Sequence, residues 1–165
     1  MDSAAVRVPD GFLRKVCGAI DIALPPAGEY GAGLVFLPRD VQERNACQQT
    51  FQKIVREEGQ QLLGWRTVPV DDSKCGRLAR QNLPEIRMVF VGKGARTPDQ
   101  ATLERKLFVI RKRVEHAIAK MNLNDGEYFY VPSLSSRKCV CGFLIRGSGF
   151  NSRRGYQLFY HRRHF

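Results

Sequence analysis

One stretch beyond the middle of the chain restricts the fold more than any other. Leu103, Leu107, Ile110, Val114, Ala117 and Met121 recur at intervals of three and four residues, so they trace one face of a helix. Arg105, Lys106, Arg111, Lys112 and Arg113 occupy the other faces. The apolar stripe reads as core and the charge run as a solvated face, with phosphate binding as the lesser alternative. Thr97 as N-cap, Pro98 at the first helical position and Gln100 at the third predict a helix over 98–121.

Other elements follow from punctuation and spacing. The Pro25-Pro26 pair with Gly28, Gly31 and Gly33 predicts a constrained turn that feeds a short apolar strand at about 33–37, stopped by Pro38 and Asp40. Asp40 followed by Glu43 reads as a capping box in which each reaches the other's backbone N–H. Cys47, Phe51, Ile54 and Val55 then fall at helical spacing and Gly59 suits a left-handed stop, which predicts a helix over 41–58. Residues 62–70 and 86–92 are β-rich runs separated by a polar, glycine-containing connection over 71–83, and 128–134 reads as a final strand. Gly92-x-Gly94 is too short for a nucleotide fingerprint and reads as a turn. Two helices and four or more strands make an α+β pattern.

Four ordered blocks carry a resemblance to a known family. They are residues 23–40, Ala-Leu-Pro-Pro-Ala-Gly-Glu-Tyr-Gly-Ala-Gly-Leu-Val-Phe-Leu-Pro-Arg-Asp; then 55–60 through 64–71, ending Gly-Trp-Arg-Thr-Val-Pro-Val-Asp; then 103–111, Leu-Glu-Arg-Lys-Leu-Phe-Val-Ile-Arg; then 129–137, Phe-Tyr-Val-Pro-Ser-Leu-Ser-Ser-Arg. Together they resemble the glutaminase (class II glutamine amidotransferase) domain of the glutamate synthase large subunit, over about Val6 to Arg137 and not beyond. The resemblance implies an N-terminal-nucleophile hydrolase fold, a four-layer αββα sandwich of which this chain holds a part.

It also implies what the chain lacks. In that family an N-terminal cysteine is the nucleophile, its free α-amino group the base, and an Arg, an Asn-Gly oxyanion pair and an Asp hold the glutamine. All of these fall outside the matched blocks, so no catalytic, cofactor-binding or metal-ligating residue is assigned in this chain, and the segment is expected to be inactive alone. The intact family enzyme hydrolyses glutamine to glutamate and ammonia and uses the ammonia to aminate 2-oxoglutarate. It does so with flavin mononucleotide, an iron–sulfur cluster and NADPH or ferredoxin as electron donor, and none of those cofactor sites is expected here. The expected partners are the remainder of the large subunit and, through exposed sheet edges, further copies of the chain.

Cysteines and charge narrow the alternatives. Five cysteines, Cys17, Cys47, Cys75, Cys139 and Cys141, are an odd number without framework spacing, which predicts reduced thiols rather than a disulfide scaffold. Cys17 follows Phe12-Leu13-Arg14-Lys15-Val16 at an apolar helical position and reads as packed core, not as a nucleophile. No apolar run reaches 18 residues, so no membrane span is expected, and the first residues lack the pattern of a secretion signal, which leaves the cytoplasm as the expected compartment.

The formal charge is +11, yet seven of the 27 Lys and Arg residues and none of the 16 acids fall in residues 137–165. Arg153, Arg154, Arg162 and Arg163 interleaved with Phe150, Tyr156, Phe159 and Tyr160 suit a nucleic-acid-binding arm. The abrupt loss of likeness there favours a terminus foreign to the fold. The expected division is therefore a partial amidotransferase domain over 1–137 and a divergent basic tail over 138–165. Nucleic-acid binding or a regulatory interaction is the alternative function. Cys139-x-Cys141 with His161-x-x-His164 supplies four zinc-type ligands, but one residue between the cysteines is short of the two to four usual in structural zinc modules, and no metal site is assigned.

Overall fold

Apolar periodicity sorts the chain into layers in the computed structural model, which describes residues 6–73 and 76–139. In chain order the elements are β1 (Val6–Arg7), α1 (Asp10–Gly18), β2 (Tyr30–Leu37), α2 (Val41–Glu57), β3 (Gln61–Thr67), α3 (Arg77–Gln81), β4 (Glu85–Gly92), α4 (Gln100–Ala119), a 3₁₀ turn at Gly126–Tyr128 and β5 (Lys138–Cys139). The α+β expectation holds. β4 lies between β2 and β3 in an antiparallel three-stranded sheet, and β1 pairs with β5 in a separate antiparallel ribbon.

Successive strand residues point to opposite faces, and both faces of this sheet are buried. Val35, Leu37, Val89 and Val91 join Cys47, Phe51, Ile54 and Val55 of α2 and Leu103, Leu107, Ile110, Val114 and Ile118 of α4 in one core. Ala32, Leu34, Phe36, Ile86, Met88 and Phe90 join Leu13 and Cys17 of α1 and Cys139 of β5 in the other. All eight residues of β2 are buried, which is why it reads as an unbroken apolar run. Each fully buried Leu, Phe or Val contributes ~1.5–3 kcal/mol relative to exposure.

Several expectations need correction. α4 begins at Gln100, capped by Asp99, whose carboxylate accepts the Thr102 N–H at 2.7 Å. Thr97 is 5% exposed and bonds Gln60 instead. Met121 lies beyond the helix and is 36% exposed, and Ile118 takes its place in the stripe. Asp40 does cap α2, accepting the Glu43 N–H at 2.9 Å. Glu43 does not reach back; its carboxylate accepts from Asn124 and Asp125. The 71–83 connection contains the short helix α3.

Residues 128–134 form no ladder. Among the described residues, Phe36 with Tyr130 and Ala32 with Ser135 make isolated bridges to β2, because Pro132, which has no N–H, lies between them. Gly31 and Gly33 are strand residues rather than turn residues, kept small by close neighbours. A Cβ at Gly31 would stand 2.3 Å from Leu107 Cδ1, and one at Gly33 would stand 2.3 Å from the Ser133 carbonyl oxygen.

Candidate functional site

The Ser-Leu-Ser-Ser-Arg block lies where the sheet edge, α4 and β5 meet. Arg111 Nη1 donates to the Pro132 carbonyl at 2.9 Å, and its guanidinium lies 5.6 Å from the Phe108 ring centre. Ser135 exchanges both backbone bonds with Ala32, at 3.0 and 3.2 Å. Glu104, on the turn of α4 above it, then takes up the local donors. It accepts from Ser135 Oγ, from Ser136 N at 2.9 Å and from Ser136 Oγ at 2.7 Å.

Ser135 Oγ in turn accepts the Arg137 and Lys138 amides, each at 3.1 Å. The Arg137 carbonyl accepts the Val8 N–H at 3.1 Å where β5 meets β1. Main chain over 132–138 is thus fastened by three different elements. Ser133 Oγ is buried here with no hydrogen-bond partner among the described residues.

Two further polar groups hold the sheet ends. Gln60, 5% exposed, accepts the Gly94 N–H at 2.9 Å and donates to Thr97 Oγ1 at 2.8 Å and to the Glu58 carbonyl at 3.0 Å. Asp10 accepts from Arg14 Nε and Tyr30 OH, each at 2.8 Å, and Arg14 reaches on to the Leu24 and Pro25 carbonyls at 3.0 and 2.6 Å. The Arg14 hydrogen bond, then that of Tyr30, holds the Asp10 carboxyl below its ordinary range. Burial, with the Asp10 bond, raises the Tyr30 phenol. The Pro-Pro turn is therefore anchored to α1.

The described cysteines do not suit nucleophilic work. Cys17 and Cys47 are fully buried and Cys139 is 1% exposed. Burial raises the Cys17 thiol above its ordinary value and pushes Cys47 up to about 11. A thiolate is the reactive form, so neither is activated at neutral pH. Among the described residues no group of three or more His, Cys, Asp or Glu side chains is placed to hold a metal ion. Cys75, Cys141, His161 and His164, and the whole of the basic tail beyond Cys139, lie outside the described residues.

Glu104 and Gln60 were not legible as site residues. A signal for Glu104 existed: it is the sole acid in the first two turns of α4 and the serine block is rich in donors. Nothing in the spacing joins Gln60 to Thr97.

An antiparallel sheet packed against α2 and α4 on one face and α1 on the other, with a serine-rich segment fastened along its edge, makes this an α+β domain. The chain belongs to the class II glutamine amidotransferases, whose family model matches residues 3–150. That match runs past Arg137, where the likeness was expected to end.

Curated relatives point the same way. The glutamate synthase [NADPH] large chain of Bacillus subtilis is 40% identical over 140 residues, 85% of this chain and 9% of that protein. The chloroplastic ferredoxin-dependent glutamate synthase of Oryza sativa is 38% identical over 116 residues, 70% of this chain and 7% of that protein. The Azospirillum brasilense large chain is 33% identical over 138 residues, 82% of this chain and 9% of that protein. The chain thus spans less than a tenth of the length of these relatives. No helix among the described residues is long and apolar enough to cross a membrane.

Proposed function

We propose that this chain supplies scaffold to a glutamine-hydrolysing domain of the glutamate synthase kind and is inactive by itself. The observation that carries the reading is the state of the three described thiols. Cys17, Cys47 and Cys139 are each at most 1% exposed, whereas this chemistry needs an accessible cysteine beside a base. In this reading the sheet and helices form part of an αββα sandwich. The remaining layers and the groups that hold glutamine belong to the rest of a large subunit, working in the cytoplasm. The division into a domain over 1–137 and a divergent tail over 138–165 is part of the proposal. Its support is the charge asymmetry, and the family match to residue 150 bears against placing the boundary so early.

Ammonia release from glutamine by the purified chain tests the reading. None above background is expected, since losing a covalent nucleophile costs many orders of magnitude in rate. Turnover that disappears on changing one cysteine would overturn the proposed inactivity. Limited proteolysis tests the boundary: early cleavage between Arg137 and Arg154 fits a divergent tail, and protection of that span removes it.

A further inference from the structure

We draw no further inference here: the strongest candidate, the open apolar groove between α1 and β3 lined by Val16, Ile20, Ile22 and Trp65, carries nothing because nothing among the described residues shows what covers it.

Discussion

Glu104 offers the sharpest test of how the serine block is held. Alanine there removes the acceptor of Ser135 Oγ, Ser136 N and Ser136 Oγ together. The Ser136 N–H and hydroxyl cannot turn toward water instead, because that residue is 5% exposed. A buried amide left without an acceptor costs ~1–3 kcal/mol, and losing the hydroxyl bonds to a carboxylate adds about 1, so Glu104→Ala should cost ~2–4 kcal/mol.

Glutamine is not a neutral replacement at this position. Ser135 Oγ already accepts two amides, from Arg137 and Lys138. Both lone pairs are engaged, so its hydrogen has to go to residue 104. A glutamine that turns its oxygen to Ser136 presents its NH₂ to that hydroxyl, donor against donor. Glu104→Gln should therefore fall between wild type and alanine, at ~1–2 kcal/mol. Equilibrium unfolding in urea reads this through Trp65, the chain's one tryptophan, which packs edge-on against Phe51 at 5.2 Å. A loss below ~0.5 kcal/mol for Glu104→Ala, with an unchanged m value, would refute the clamp, since it lies within the scatter of ordinary surface changes.

Acid stability and the orphan hydroxyl give two more tests. Glu58 is held below its ordinary 4.5, first by the Lys106 hydrogen bond and then by that of Arg113. Its contribution is complete above the unfolded value and is lost as pH falls through the lower folded one. Glu58→Gln should therefore flatten the decline in stability below about pH 4.5, and urea midpoints from pH 3 to 7 that fall in parallel with wild type would contradict it. Ser133→Ala should be neutral or stabilise by up to ~1 kcal/mol, because the hydroxyl is buried without a partner among the described residues. A loss of more than ~1 kcal/mol in the same urea assay would mean that Ser133 has an acceptor.

Local chemistry made much of the framework readable from the chain itself. Asp40, the spacing of Cys47, Phe51, Ile54 and Val55, and Gly59 marked α2 to within a residue of its end. Each signal lies within a turn or two of the bonds it governs. The same holds for β4 and for the inward placing of Cys17 on α1, whereas β3, expected to run to residue 70, ends at Thr67. The four blocks likewise carried the family, since a likeness needs only order and residue type. Thr97 was expected to cap α4, but Gln60, distant in sequence, engages the Thr97 hydroxyl and Asp99 caps the helix instead. Whether Tyr130 to Ser135 made a strand depended on Pro132 meeting β2 across the fold.

Tertiary structure alone decided that Tyr130 and Ser135 bridge to β2, that the serine block hangs on Glu104, and that Gly33 is small for the sake of Ser133. Hydrogen bonds and close contacts between distant segments leave no periodic trace in sequence, because either partner by itself is compatible with many others. The hydrophobic pattern specified which faces are buried, and chain packing chose the partners that bury them.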